Sequence, residues 1–109
     1  MTENSLYKIE FYVPESHLEA VKTEMFAAGA GRVGDYDSCA WQTRGQGQFR
    51  PLEGASPYIG QTGQVETEAE FKVEMVCTGE LVREVVEAMK RAHPYEEVAH
   101  SVIRCESFG

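Results

Sequence analysis

Apolar and polar residues alternate along two segments of the chain, which is the pattern of a β-strand with one buried face. In the first, Tyr7, Ile9, Phe11 and Val13 alternate with charged residues and Tyr12. In the second, every other residue from Val65 to Met75 is apolar or threonine. The residues between them form an acidic row that Lys72 interrupts, namely Glu66, Glu68, Glu70 and Glu74. We interpret this row as a solvated or partner-facing surface, on which a neighbouring strand or bound cations must avoid directly opposed acids.

Apolar residues at helical spacing follow the first strand. Pro14 stops that strand, and Ser16 with Glu19 matches a capping box at the start of a helix. Gly29 suits the left-handed backbone at the helix C-terminus. The expected buried stripe of this helix consists of Leu18, Val21, Met25 and Phe26.

A second helix is predicted after Thr78, taken as its N-cap, and Pro94 ends it. Its apolar stripe consists of Leu81, Val85, Ala88, Met89 and Ala92. Two further strands are predicted at Gly34–Gln42 and Val98–Cys105. The order β-α-β-β-α-β is typical of the ferredoxin-like α+β fold, with a four-stranded antiparallel sheet and two helices on one face. At 109 residues the chain is expected to form one domain, residues 1–109.

The connection Gly45–Gln64 is far longer than an ordinary loop inside a domain. It holds five of the ten glycines and two of the four prolines, yet also four large apolar residues that a disordered linker usually lacks, Phe49, Leu52, Tyr58 and Ile59. We therefore interpret it as a shaped loop whose apolar residues pack against the domain or a neighbouring subunit. Its candidate ligand-binding residues are Gly45, Gly47, Phe49, Arg50, Pro51, Glu53, Gly54, Tyr58 and Gly60.

No dinucleotide-binding or P-loop pattern accompanies these glycines. Accessible backbone N–H groups, with Arg50 as the only base of the segment, leave open an anionic small ligand held by backbone nests. Packing of the loop is the favoured alternative.

Ten basic and eighteen acidic residues give a net charge of −8, which argues against nucleic-acid binding because phosphate contacts need clustered Lys and Arg. No apolar run is long enough for a membrane span, and the first ten residues lack the order of a secretory signal. We therefore expect a cytoplasmic protein without a membrane partner. The three cysteines, Cys39, Cys77 and Cys105, show no C-x-x-C spacing and are expected to be buried thiols in a reducing compartment.

The string HPYEE, residues 93–97, places an imidazole beside two carboxylates. His93, Glu96 and Glu97 could ligate a divalent metal such as zinc or copper, with His17 or His100 completing the shell. The structural alternative, which we favour, is that a protonated His93 complements the last carbonyls of the helix while Tyr95 anchors the turn. His17 is expected to be solvated.

Two strings, GQGQFRPLEGASPYIGQTGQVE and AHPYEEVAH, resemble the inserted middle domain of YqfO-type members of the Ngg-one-interacting-factor-three family, here standing alone. That insert is similar in fold to the CutA and PII signalling proteins. The resemblance implies a self-associating PII/CutA-like domain, a homodimer or homotrimer. The likeness to CutA in particular implies a divalent metal. The two-metal site of the larger family members lies on flanking halves that this sequence lacks, so no catalytic residue is carried over.

The sequence thus predicts a non-enzymatic, self-associating module that binds a small molecule or divalent metal, or presents its loop to a protein partner. The alternative is a small enzyme with an active site between subunits. That site would use His93, Tyr95 and Glu96 together with Arg50 and Glu53 of the loop.

Overall fold

A computed structural model describes residues 5–108 and shows six elements in the order β-α-β-β-α-β. They are β1 Leu6–Pro14, α1 Glu15–Ala27, β2 Trp41–Phe49, β3 Glu66–Thr78, α2 Val82–Ala92 and β4 His100–Cys105. The strands form one antiparallel sheet in the order β2-β3-β1-β4. This arrangement confirms the ferredoxin-like prediction. The predicted single domain also includes residues 1–4 and 109, which lie outside the described residues.

The hydrophobic core lies between the sheet and the two helices. Alternate residues of β1 and β3, such as Ile9, Phe11 and Val73, are fully buried against Met25 of α1 and Met89 of α2. Residues directly opposite each other on neighbouring strands share a face. The other face therefore presents Lys8, Glu10 and Tyr12 with their partners on β3 and β4, and the β2 residues that pair with those of β3. Neither helix covers that second face. In the part of the chain that the structure describes, no helix has the length and apolarity to cross a membrane.

The predicted position of the second strand is wrong. Residues 34–40 are mostly turns and irregular backbone, and β2 instead runs from Trp41 through Gly45 and Gly47 to Phe49. The glycines and polar residues of this segment have weak strand preference, but β3 is 13 residues long and offers a partner along its whole length. Pairing with β3 therefore overrides local preference, and the long connection shortens to residues 50–65.

Both predicted N-caps are also wrong. Pro14 occupies the N-cap of α1 without a side-chain hydrogen bond, and the Ser16 hydroxyl lies 2.8 Å from Nδ1 of His17 instead. At α2 the N-cap is Leu81, whose N–H donates to the carbonyl of Thr78. At the other end of α1, Gly29 has φ 110°, so the expected left-handed backbone is present there.

The buried face of β3 changes along its length. From Phe71 to Cys77 the apolar residues face the helices, as predicted, whereas Val65 is 60% exposed and Glu66, Glu68 and Glu70 are half-buried. The pairing with β1 ends at Glu70, so beyond that point β2 and β3 form a two-stranded ribbon, residues 46–49 and 66–69. The acidic row is therefore less solvated than predicted.

Candidate functional site

A cleft of about 840 Å³ lies beside the β2–β3 ribbon. Three parts of the chain line it: β2 with the start of the following loop, the open-face residues of β1 and β3, and the segment after α2. The lining residues are Tyr12, residues 43–52, Ala55, Pro57, Tyr58, Glu70, Lys72, Glu74, residues 95–97 and Ala99. The cleft therefore brings the long loop and the HPYEE string together.

Tyr95 is the residue that joins these parts. Its ring centroid lies 6.1 Å from that of Phe49, 6.2 Å from that of Tyr58 and 5.0 Å from that of His93. Its hydroxyl donates a hydrogen bond to Oε2 of Glu70 at 2.8 Å. Burial, followed by the hydrogen bond and charge of Glu70, raises the pKa of Tyr95, so the phenol stays protonated as a hydrogen-bond donor.

The carboxylate of Glu70 lies against β2 in space that the glycine at position 47 leaves open. Glu70 pairs directly with Gly45, and its carboxylate extends diagonally over Gly47. A Cβ atom at Gly47 would collide with Oε1 of Glu70, whereas a Cβ atom at Gly45 would meet nothing within 4 Å. Gly47 therefore makes the space that lets Glu70 reach Tyr95.

His93 is buried, with 7% of its surface exposed, and both of its ring nitrogens are in use. Nε2 lies 2.7 Å from the carbonyl oxygen of Tyr12, and Nδ1 accepts the backbone N–H of Tyr95 at 3.1 Å. Because Nδ1 accepts, the ring is neutral and donates through Nε2. Burial lowers the pKa of His93, which agrees with the neutral form. The prediction of a protonated His93 at the helix end is therefore wrong. The neutral ring instead links the carbonyl of Tyr12, in β1, to the backbone N–H of Tyr95.

The loop of residues 50–65 is closed by its own backbone. The N–H of Gly63 donates to the carbonyl of Pro51 at 2.7 Å, and the N–H of Ala55 donates to that of Leu52 at 3.1 Å. The N–H of Ser56 donates to Oε2 of Glu96 at 2.8 Å, which links the loop to the HPYEE segment. Tyr58 packs edge-on against His17 at 5.8 Å, so His17 is half-buried rather than solvated. Leu52 remains 61% exposed.

The predicted binding residues divide into two groups. Lining the cleft are Gly45, Gly47, Phe49, Arg50, Pro51, Tyr58, Glu96 and Glu97. Outside the lining are Glu53, Gly54, Gly60 and His93, of which Gly60 packs against Glu66 and Phe49. Within residues 5–108 no group of three or more His, Cys, Asp or Glu side chains is arranged to hold a metal ion.

Sequence reasoning missed Glu70 and Tyr12 as parts of this site. The alternation in β3 does place Glu70 on the face opposite the core, but only the register shows that its neighbours on β2 are glycines. Two acids of the open face, Glu10 and Glu74, are directly opposed, contrary to expectation. Lys8 forms an ion pair with both of them, and Lys72 lies 3.8 Å from Glu10.

The cysteines differ in their burial. Cys77 is buried, and burial raises the pKa of its thiol. Cys39 and Cys105 are only partly covered, so the expectation of three buried thiols holds for one. None of the three lines the cleft.

Comparison with known proteins shows that the chain is similar to one part of longer proteins. No family model matches it. It is 47% identical over 98 residues to a GTP cyclohydrolase 1 type 2 homolog of Mycobacterium leprae, covering 90% of this chain and 26% of that protein. It is 41% identical over 101 residues to a protein of the same name from Bacillus subtilis, covering 93% and 27%. The chain thus spans about a quarter of the length of these relatives.

Solved structures extend the likeness to the fold. A Bacillus cereus protein related to NIF3 superposes with a TM-score of 0.83 at 36% identity, covering 98% of this chain and 27% of that chain. CutA from Archaeoglobus fulgidus gives a TM-score of 0.68 at 17% identity, covering 94% and 86%. The GlnK–ATP complex of B. subtilis gives 0.65 at 15%, covering 96% and 85%. The last two identities are low enough that they show the fold alone.

Proposed function

Because the chain is a PII/CutA-like domain of the kind found in NIF3-related proteins, we propose that it acts as a non-enzymatic, self-associating module that binds a small molecule in the cleft around Tyr95. One observation carries the proposal. The two most distinctive strings of the sequence, remote along the chain, meet in one cleft of about 840 Å³. A cleft of this volume with aromatic and a few polar groups is the usual form of a small-molecule site.

The chemistry of the cleft favours binding over catalysis. A general base must be able to take up a proton near neutral pH. Tyr95 has a raised pKa and already donates to Glu70, and the ring nitrogens of His93 are engaged by the backbone. The alternative active site of His93, Tyr95 and Glu96 with Arg50 and Glu53 is further weakened because His93 and Glu53 lie outside the cleft lining.

Self-association is supported by the sheet face that neither helix covers. Trp41 of β2 is 68% exposed and Ile103 of β4 is 45% exposed, and both lie on this face. They lie on the two edge strands of the sheet, and the ion-paired residues Lys8, Glu10 and Glu74 lie on the same face between them. A second copy of the chain would cover these side chains, and the ion pairs of Lys8 and Lys72 would lie within that contact.

The test is a ligand screen followed by site-directed variants. The purified protein is heated with a panel of nucleotides, amino acids and amines, with ATP included because the solved GlnK binds it. A cleft ligand should raise the melting temperature of the wild type and fail to do so for Tyr95→Leu. The control variant is Tyr36→Ser, whose parent side chain is 76% exposed and outside the cleft lining.

Nuclear magnetic resonance of the bound ligand then separates the two functions. A ligand that stays chemically intact over hours supports a binding module, whereas its conversion to a product would establish the enzyme alternative. A screen in which stabilising ligands act equally on wild type and Tyr95→Leu would show that the cleft is not the binding site.

A further inference from the structure

We propose that the cleft selects a small organic cation, with an ammonium or guanidinium group held among the rings of Phe49, Tyr58 and Tyr95 and beside the carboxylates of Glu70 and Glu96. This inference rests on the proposed function, because it names the class of ligand for the same cleft. It depends on the arrangement of the rings and on the balance of charge that remains after the ion pairs of the site are counted.

The three aromatic rings form an angled surface rather than a stack. The ring of Phe49 is tilted by 51° against that of Tyr95 at a centroid distance of 6.1 Å, and the ring of Tyr58 by 48° at 6.2 Å. The face of an aromatic ring carries negative charge density and attracts cations within about 6 Å of its centre. Tilted rings around a cleft can direct more than one face toward a single cation.

The cations of the lining are mostly neutralised by partners. Arg44 lies 3.5 Å from a Glu15 carboxylate oxygen and 5.2 Å from the ring centre of Phe71, away from the cleft aromatics. Lys72 pairs with Glu10 at 3.8 Å, and the acid Glu74 is matched by Lys8. These residues therefore contribute little net charge to the cleft.

The remaining charges of the lining are predominantly negative. Glu70 and Glu96 accept hydrogen bonds from neutral donors, the Tyr95 hydroxyl and the Ser56 N–H, so their charges are not compensated. Glu97 adds a third carboxylate. Arg50 is the one lining cation without an ion pair among residues 5–108. Three carboxylates thus face a single free base.

The neighbouring acidic residues strengthen this field. Glu68, on the same face of β3 as Glu70, also contributes to raising the pKa of Tyr95 after burial and Glu70. Gly45 and Gly47 have extended backbones in β2 and form no nest for the anionic ligand considered from the sequence. Gly54 and Gly60 do have positive φ angles, of 95° and 99°, but they lie outside the cleft lining.

Matched probes of equal shape and different charge test the inference. Choline and 3,3-dimethylbutan-1-ol have nearly the same shape, but only choline is charged, and agmatine supplies a guanidinium. Isothermal titration should show choline binding about tenfold more tightly than the neutral alcohol, the scale of a partly desolvated cation–π contact. Phosphate and ATP serve as anionic probes.

Three variants test how the charges of the cleft affect the affinity for choline. Glu70→Gln should weaken choline about fivefold, the upper scale of an ion pair near the surface, while keeping an acceptor for the Tyr95 hydroxyl. Arg50→Gln should tighten choline, because it removes the free positive charge. Glu87→Gln, an exposed position on α2 outside the lining, should leave the affinity unchanged and control for total charge.

The outcomes separate this inference from the proposed function. ATP or phosphate binding that Arg50→Gln abolishes would overturn the cation inference and leave the cleft as a binding site. Equal binding of choline and the neutral alcohol would overturn it in the same way. Binding of these probes that Tyr95→Leu does not affect would count against both.

Discussion

Oε2 of Glu70 accepts a hydrogen bond from the hydroxyl of Tyr95 at 2.8 Å, while the second carboxylate oxygen, Oε1, lies over Gly47. This relationship joins β3, the edge strand β2 and the segment after α2 at one carboxylate. It explains why a glycine stands within a strand, where glycine is otherwise unfavourable. It also holds Tyr95 in position near Phe49 and Tyr58, so the shape of the cleft depends on it.

We expect Gly47→Ala to displace the Glu70 carboxylate and leave the Tyr95 hydroxyl without its acceptor. The cost should be about 1 kcal/mol of unfolding free energy, the usual scale of one lost hydrogen bond. Gly45→Ala is the matched control, because a Cβ atom there meets nothing within 4 Å. Urea denaturation of the two variants measures the difference, and equal stabilities would show that Gly47 has no special role.

His93 should make the protein sensitive to mild acid. Its pKa is lowered in the folded state, so below about pH 6.5, the ordinary histidine value, the unfolded chain takes up a proton that the folded chain refuses. Stability should therefore fall as the pH drops from about 6.5 toward the lowered folded pKa, and level off below it. The measurement is urea denaturation at several pH values.

The variant His93→Gln should lose that part of the pH dependence. It should also cost about 1–3 kcal/mol at neutral pH, because the part-buried carbonyl of Tyr12 and N–H of Tyr95 lose their hydrogen-bond partner. His100→Gln is the control, since Nδ1 of His100 lies 2.8 Å from the carbonyl oxygen of Val98, two residues earlier in the chain. An unchanged pH profile in His93→Gln would contradict the assigned role of the ring.

Titration with zinc and copper should give no one-to-one binding that depends on His93. Both of its ring nitrogens are already used, and a metal would have to displace the carbonyl of Tyr12 or the N–H of Tyr95. Calorimetric titration of wild type and His93→Gln compares the two. Saturable metal binding at neutral pH that the variant abolishes would contradict this prediction and identify His93, Glu96 and Glu97 as metal ligands.

The loop should be ordered by Ile59 and not by Leu52. Ile59 is half-buried and Leu52 is 61% exposed, although both are aliphatic residues of similar size. Ile59→Ser should lower the unfolding free energy by about 1–2 kcal/mol, a part of the value for full burial, whereas Leu52→Ser should have little effect on it. In hydrogen exchange, the amide of Gly63 should be protected by its bond to Pro51. Exchange at the rate of a free peptide would refute the ordered loop.

Light scattering at micromolar concentration should give a mass that is a multiple of the 12.2 kDa chain mass. Trp41→Ser should shift the distribution toward the monomer, because it removes the most exposed aromatic side chain of the uncovered sheet face. Tyr36→Ser, at an exposed position outside the strands, is the control. A monomer mass for the wild type would refute self-association.

Most of the fold could be predicted from the sequence because most helices and strands have a recognisable local pattern of apolar residues. The alternation around Ile9 and the helical stripe around Val85 each have one buried side, and both elements lie where they were expected. The position of β2 could not be predicted in this way, since its residues are polar or glycine and its structure comes from pairing with β3. Register is a relation between two strands, and a local pattern does not contain it.

Only the part of the candidate site that has a local sequence pattern could be predicted. The composition of the loop and the HPYEE string marked Phe49, Arg50, Tyr58 and Glu96, all of which line the cleft. In the sequence Glu70 is one of a row of similar glutamates, and nothing local distinguishes it from Glu66 or Glu68. Its contact with Tyr95 depends on where the chain turns after α2, which is a tertiary property.

The space above Gly47 also limits how this pair of positions can change during evolution. A side chain at position 47 would displace the Glu70 carboxylate from the place where it accepts the Tyr95 hydrogen bond, so the two positions should covary among descendants of this sequence. A lineage that loses the carboxylate at position 70 would release position 47 from glycine, and a residue with stronger strand preference could then be selected there. The carboxylate in the cleft and the glycine in the edge strand would therefore be retained or lost together.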